Sequence, residues 1–162
     1  MDERRSEGLS LDGVLVKPGE MAVAIDGSTL VTIAGVGVVA SFWSRYPAVA
    51  GIAHFVEPRA GNPDGATGRS ADAALPEIVR LVRERGAKDI EVQLFGGSKT
   101  DPDDGRGEHT IKAALRILER LRLPVASTDL GGTKGRKIVF DTSSGQVAVV
   151  KVHELRQGDW NP

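Results

Sequence analysis

The sequence contains no cysteine among its 162 residues. This absence excludes disulfide bonds, thiolate metal ligands, thiol redox chemistry and a cysteine nucleophile. Aromatic residues are also scarce, at 4% of the chain, whereas there are 20 glycines. Together these features indicate a turn-rich α/β protein whose core is built from Val, Ile, Leu and Ala.

An excess of charge of one sign and long apolar runs are also missing. The 21 Lys and Arg residues are balanced by 22 Asp and Glu residues, so no basic field is available to hold a nucleic-acid backbone. No run of apolar residues is long enough to cross a membrane, and the first residues, MDERRSEG, lack the hydrophobic segment of a signal peptide. We therefore expect a cytoplasmic protein that neither binds nucleic acid nor inserts into a membrane.

The distribution of apolar segments predicts a single domain over residues 9–153. Residues 1–8 are charged and poor in apolar side chains, which predicts a flexible N-terminal tail. Residues 154–162 are polar and predict a C-terminal tail of the same kind. No repeat or low-complexity block interrupts the stretch between the two tails.

Two amphipathic helices are expected among several short β-type runs. The first helix begins at Ser70 or Asp72, has Pro76 in its first turn and ends near Gly86, and the second covers about residues 108–121. The remaining apolar runs are short and bounded by Gly, Pro and Asp, as is typical of strands. This combination predicts a sheet or a sandwich that carries two main helices on one side.

His54 lies inside a nearly continuous apolar run, AVAGIAHFV, where a titratable side chain needs a partner. One interpretation is a core histidine that is satisfied by a single hydrogen bond. The other is a general base at the edge of a sheet, with the Thr32 hydroxyl orienting its ring. Both interpretations remain open on the pattern alone.

Several glycines fall at strand ends or within a strand. In the stretch AGVGVV the third glycine of a dinucleotide-binding loop is absent, so a close approach of another backbone to this strand is the better explanation. Two glycine pairs follow predicted strands and precede polar residues, and their turns are candidates for lining one rim. These glycines are Gly35 and Gly37 in the strand, and Gly96, Gly97, Gly131 and Gly132 in the turns.

The histidines and acidic residues do not form a metal-binding pattern. His54, His109 and His153 share no ligand spacing. The acidic residues between 101 and 104 lack the glycine spacing and the distal Glu of a calcium loop. We therefore expect neither a metal site nor a cofactor.

Over nearly its whole length the chain resembles CheD, the family of bacterial chemoreceptor glutamine deamidases. The family's threonine followed by Gly-x-Gly-Ser-Cys-Val corresponds to Thr32-Ile-Ala-Gly35-Val-Gly37-Val38-Val39, and its Gly-x-x-Ala-His motif to Gly51-Ile-Ala-His54. The later matches are the pair Gly96-Gly97, the glycine-led helix start at Gly107, and the stretch from Asp129 through Gly131, Gly132 and Arg136 to Lys151.

The resemblance implies a single-domain layered α/β sandwich with mixed β-sheets and two main helices. It also implies a cysteine nucleophile that is activated by the histidine and supported by the threonine. In the family a thiolate attacks the carboxamide of a receptor glutamine, ammonia leaves, and water hydrolyses the thioester to give glutamate. The resemblance also implies two partners, a chemoreceptor cytoplasmic domain and a CheC-type phosphatase of CheY. No cofactor is implied.

The chain departs from the family at the nucleophile. Counting from Thr32 places Val38 at that position, and anchoring on the glycines places Val39 there. Valine has no lone pair for covalent catalysis, and Ser41, the nearest hydroxyl, would need a stronger base and better oxyanion support than a thiol. Thr32 and His54 are then the remains of a catalytic site or residues kept for their hydrogen bonds.

The resemblance and these residues together leave three hypotheses for the function. The favoured one is a CheD-like chemotaxis protein without deamidase activity, which binds chemoreceptors, a CheC-type phosphatase or both through a rim of residues 59–69, 98–107 and 129–136. The candidate binding residues are Gly96 and Gly97, directly before the second rim segment, and Gly131, Gly132 and Arg136 in the third. The alternative is an active glutamine deamidase that uses a noncysteine nucleophile or a water activated by His54. Divergence to an unrelated binding role is the third.

Overall fold

The computed structural model describes residues 13–62 and 67–154. The predicted N-terminal tail, residues 1–8, lies outside the described residues, as does the predicted C-terminal tail beyond residue 154. The described part contains nine strands and two helices. In chain order they are β1 Val14–Leu15, β2 Met21–Ala24, β3 Thr29–Ala34, β4 Val38–Ser44, β5 Val49–Phe55, α1 Ala71–Glu84, β6 Glu91–Gly96, α2 Arg106–Arg120, β7 Val125–Leu130, β8 Lys134–Asp141 and β9 Gln146–Glu154.

The strands form two mixed sheets. The five-stranded sheet has the order β2-β5-β4-β6-β7 and the four-stranded sheet the order β1-β3-β8-β9. The pairs β6–β7 and β1–β3 are parallel, and the other neighbours are antiparallel. The predicted layered α/β sandwich with two helices and mixed sheets is therefore confirmed.

The five-stranded sheet is the middle layer, which explains why β4 and β5 read as continuous apolar runs. Every residue of both strands is buried. Alternate side chains of β4, such as Val38 and Phe42, pack with α1 and α2, whereas Val39 and Trp43 pack against the four-stranded sheet. A strand that is covered on both faces needs apolar residues at every position rather than at every second one.

Helix α1 begins directly after Ser70, one of the two predicted start positions, and Gly86 follows its end with φ of +95°. Its buried face includes Leu75, Ile78 and Val82. Pro76 was predicted for the first turn, and this prediction is wrong. Because the helix already begins at Ala71, Pro76 lies in the second turn, where its missing N–H removes the bond to the Asp72 carbonyl.

One end of the five-stranded sheet gathers several chain segments. Strands β5, β6 and β7 end there and β4 begins there, as the pairing of Val38 with both Phe55 and Gly96 shows. The Thr32 end of β3 and the start of β8 lie against it from the other sheet. None of the helices in the described residues is long and apolar enough to cross a membrane.

Candidate functional site

Thr32 and His54 meet between the two sheets. Thr32 lies on β3 of the four-stranded sheet and His54 near the end of β5 in the five-stranded sheet. The Thr32 Oγ1 atom is 2.9 Å from His54 Nδ1, and both side chains are buried, with 0% and 1% exposure. The two residues that the sequence singled out are therefore direct neighbours.

The hydrogen bonds of Thr32 fix the tautomer of His54. The Thr32 hydroxyl has a single proton and uses it to donate a hydrogen bond to the Val16 carbonyl oxygen at 2.6 Å. A carbonyl oxygen has no proton to donate in return. Nδ1 of His54 must then donate to Thr32 Oγ1, so the neutral ring keeps its free lone pair on Nε2. Burial lowers the pKa of His54 to about 4, which leaves the imidazole neutral at pH 7.

Nε2 of His54 points at Gly37, the residue immediately before β4. A Cβ atom added to Gly37 would lie 2.8 Å from His54 Nε2 and 3.1 Å from Val56 Cγ1. The imidazole thus occupies part of the space that a side chain at position 37 would need. A side chain at this position would be the direct neighbour of the unprotonated nitrogen.

The other residues considered for the nucleophile position lie differently. Val38 pairs with Phe55 and packs into the helix-facing core, on the opposite face of the sheet from His54. Val39 pairs directly with His54 but is embedded in the core between the sheets. Ser41 is four residues along from Gly37, roughly 13 Å away at ~3.3 Å per strand residue.

The two glycine turns are linked to each other and to the Gly37 segment by backbone hydrogen bonds. Gly97 N donates to Gly37 O at 2.8 Å, and Gly131 N donates to Gly96 O at 2.9 Å. A Cβ at Gly96 would lie 2.4 Å from Gly37 O, so only glycine permits this approach. The sequence predicted such a close approach of another backbone, and the two turns do lie side by side. Their glycines all have positive φ: Gly96, Gly97, Gly131 and Gly132.

The buried side chain of Arg136 connects the two glycine turns through hydrogen bonds. It lies on the face of β8 that is turned towards the five-stranded sheet and is only 2% exposed. Its guanidinium donates to Ser98 Oγ at 2.7 Å, to Gly131 O at 2.9 Å and to Asp129 Oδ1 at 3.1 Å. Ser98 N in turn donates to the Gly35 carbonyl, which connects Arg136 to the motif strand.

Asp129 is the acidic member of this network. Burial pushes the pKa of its carboxyl upward, but the hydrogen bond and charge of Arg136, with the charge of Lys151, hold it below the usual value. Lys151 Nζ lies 3.5 Å from Asp129 Oδ1. The carboxylate is therefore ionised at neutral pH and balances the buried guanidinium.

Chemically, the site offers a positioned neutral imidazole and a rim of backbone groups. Nε2 can accept a proton or a hydrogen bond, but neither Gly37 nor its valine neighbours supply an attacking atom. Among residues 13–62 and 67–154, no group of three or more His, Asp and Glu side chains is arranged to hold a metal ion.

Three residues of the site were not singled out by the sequence for the roles they have. The sequence identified Gly37 as a strand glycine and as part of the family motif, Ser98 as part of a polar loop, and Asp129 as one residue of the rim. The pairing of β4 with β5 was foreseeable from the two adjacent apolar runs. The orientation of the His54 ring towards Gly37 was not foreseeable, since it depends on how the second sheet packs.

Comparison with known proteins gives consistent matches. The family model described as CheD chemotactic sensory transduction matches residues 57–151. A probable chemoreceptor glutamine deamidase CheD of Pseudomonas fluorescens (strain SBW25) is 35% identical over 146 residues, which cover 84% of this chain and 82% of that protein. A probable chemoreceptor glutamine deamidase CheD 2 of Geobacter sulfurreducens is 30% identical over 149 residues, which cover 88% of this chain and 92% of that protein.

Proposed function

The chain belongs to the CheD family, with the chemotaxis function of that family, and we propose that it binds chemoreceptor cytoplasmic segments without deamidating them. The relatives are described as probable chemoreceptor glutamine deamidases, which supports a receptor segment as the partner. We infer that this interaction takes place in the cytoplasm.

One observation carries the proposal: the residue that faces His54 Nε2 is a glycine. We infer that position 37, rather than 38 or 39, is where a nucleophile would have to stand, because a Cβ there is 2.8 Å from the lone-pair nitrogen. A base can activate a thiol only if the thiol lies within hydrogen-bond reach of it. Gly37 has no side chain, and the sequence has no cysteine elsewhere.

The remaining groups are suited to holding a glutamine side chain. Nε2 of His54 is a neutral acceptor and matches one N–H of a carboxamide. We assign Thr32 the role of orienting His54, and Gly96, Gly97, Gly131 and Gly132 the role of the rim that meets the partner. Arg136 supports this rim from within, because its guanidinium is buried beneath the turns.

A CheC-type phosphatase is the second partner that we propose for this rim. The rim segments include residues 98–107 and 129–136, which the hydrogen bond from Lys99 N to Gly132 O brings together. Most of residues 99–106 are exposed, so their polar groups are available to a protein partner.

The alternative function is deamidation by a water that His54 activates. The fixed tautomer favours it, because the Nε2 lone pair is available to take a proton from water. It requires water to attack a carboxamide without a covalent intermediate, which is the harder route.

Intact-mass spectrometry of a receptor cytoplasmic fragment, after incubation with the protein, separates these functions. Conversion of glutamine to glutamate raises the fragment's mass, and binding of the fragment is measured in parallel by calorimetry. We expect the natural chain to bind without conversion. Conversion by the natural chain that is lost in His54→Ala would support deamidation by a noncysteine nucleophile or a water that His54 activates. Absence of both binding and conversion would overturn the proposal.

Three cysteine variants locate the nucleophile position in the same assay. Gly37→Cys is expected to convert the fragment once the imidazole shifts to make room for the new side chain. Val38→Cys and Val39→Cys, which bury the thiol in the two cores, are expected to remain inactive. Activity in either valine variant and not in Gly37→Cys would show that the assignment of position 37 is wrong.

A further inference from the structure

A groove lies between the two helices, on the face of the five-stranded sheet opposite to His54. It has a volume of about 480 Å³ and opens between the N-terminal half of α1 and the C-terminal half of α2. A volume of this size falls within the range of ~300–1,000 Å³ that is usual for binding pockets. The lining residues that determine its chemistry are Arg59, Asp72, Arg116, Ile117, Arg120 and Leu121.

Positive charge is concentrated in this groove although the whole chain has a net charge of −1. Three of the lining residues are arginines and one is an aspartate. The aspartate, Asp72, accepts a hydrogen bond from Ala60 N at 3.2 Å and so helps to hold the loop that carries Arg59. The guanidiniums thus outnumber the carboxylates in a concave space.

Most other helix cations in the described part of the chain are neutralised by neighbours. Arg80 pairs with Glu77 and Glu84 on α1, and Lys112 pairs with Glu108 on α2. By contrast, Arg59, Arg116 and Arg120 make no ion pair with any residue in the ranges 13–62 and 67–154. They are exposed and available to an external anion.

Apolar side chains form the rest of the groove. Ile117 on α2 and Leu121, directly after its end, are only partly buried, and Pro58 and Pro76 also line the groove. Arg116 and Arg120 lie one turn apart along α2. The groove therefore presents guanidiniums one helical turn apart beside an apolar strip, which favours a ligand with both acidic and apolar groups.

We propose that this groove binds an acidic, amphipathic peptide segment of a partner protein. Carboxylates of the segment pair with Arg116 and Arg120, and with Arg59 across the groove, in the forked geometry that guanidinium and carboxylate share. An apolar side chain of the segment covers Ile117 and Leu121. Helices α1 and α2, which form most of the groove, lie on the opposite face of the five-stranded sheet from His54.

Fluorescence anisotropy with a labelled helical peptide tests this surface on the full chain. The probe carries two Glu residues one turn apart next to Leu residues, and a matched peptide carries Gln in place of Glu. We expect the Glu peptide to bind at least about tenfold more tightly than the Gln peptide, and more weakly as salt is added, because charge-assisted bonds supply the difference.

Two double variants decide whether the groove is responsible. Arg116→Gln with Arg120→Gln is expected to weaken binding of the Glu peptide about tenfold or more. Arg83→Gln with Lys112→Gln removes the same charge from exposed positions of the two helices outside the groove and is expected to leave binding nearly unchanged. Equal losses in both variants, equal binding of both peptides, or no binding to the natural chain would overturn the proposal.

Discussion

Thr32 and His54 are joined across the two sheets by a hydrogen bond of 2.9 Å between Oγ1 and Nδ1. The Thr32 hydroxyl donates its hydrogen bond to the Val16 carbonyl. The three groups therefore form a chain of hydrogen bonds that runs in one direction, from the imidazole to the hydroxyl to the backbone. This chain holds the ring with Nε2 turned towards Gly37. The ring nitrogen with the free lone pair is thus held beside a position that has no side chain.

Removal of the Thr32 hydroxyl is expected to destabilise the fold. Thr32→Val keeps the shape of the side chain but leaves His54 Nδ1–H and Val16 O without their partner in a buried layer, at a cost of about 1–3 kcal/mol. Urea unfolding followed by circular dichroism measures this loss. Thr128→Val, at an exposed strand position, is the matched control and should change the free energy of unfolding by less than about 0.5 kcal/mol. Equal effects of the two substitutions would contradict the hydrogen-bond chain.

The stability of the fold is expected to fall between pH 6.5 and pH 4 because of His54. Burial lowers its pKa to about 4 in the folded chain, against an ordinary value of 6.5. In this window the unfolded chain binds a proton that the folded chain does not, so acid favours unfolding. The loss from pH 7 to pH 5 amounts to about 2 kcal/mol, at ~1.4 kcal/mol per pH unit below 6.5.

Unfolding curves of His54→Gln and His109→Gln at pH 7 and pH 5 test the origin of this effect. The buried His54 variant should lose most of the pH dependence, whereas the exposed His109 variant should keep it. The ionised carboxylates, such as Asp129, change the stability of the fold only at lower pH, because the pKa values of carboxyl groups in the unfolded chain lie near 4. An unchanged pH dependence in His54→Gln would rule out the histidine as its source.

A methyl group at position 37 is expected to be costly although it adds little volume. The Cβ of Gly37→Ala would lie 2.8 Å from His54 Nε2, so the imidazole must move and strain its bond to Thr32, at about 1–3 kcal/mol. Gly61→Ala is the control, because a Cβ there meets nothing within 4 Å. Thermal unfolding compares the two variants, and the His54 ring signals in NMR should shift only in Gly37→Ala. An undisturbed ring would show that the imidazole does not lean towards position 37.

Much of the fold was predictable because local patterns and packing agree. The nearly continuous apolar run of β5 is typical of a strand that is covered on both faces, and the middle layer of the sandwich supplies that cover. The helix stop at Gly86 was visible as well. Pro76 was misplaced because the local pattern does not decide between Ser70 and Asp72 as the start of α1.

The site was predictable in its residue types but not in its geometry. A histidine in an apolar strand needs a partner, and a buried threonine on another strand was a sound choice for it. Arg136 was read as a rim residue because it follows glycines and other polar residues. In the structure the inward face of β8 buries it, and Ser98, Gly131 and Asp129 satisfy its terminal nitrogens. Inward or outward orientation depends on strand register, which the glycine-rich segment leaves undefined.

Loss of the Arg136 charge is expected to raise the pKa of Asp129. In Arg136→Met burial of the carboxyl acts with less opposition, because only Lys151 remains beside it. NMR titration of the Asp129 carboxyl measures the shift. Lys151→Met is the control, and it should raise this pKa less, because Lys151 is exposed and lies at 3.5 Å rather than 3.1 Å. The Arg136 variant also removes the hydrogen bonds of the guanidinium to Ser98 Oγ and Gly131 O. We therefore expect the turns of the rim to loosen and their amide hydrogens to exchange faster. A larger pKa rise in the Lys151 variant would show that Arg136 is not the main partner of Asp129.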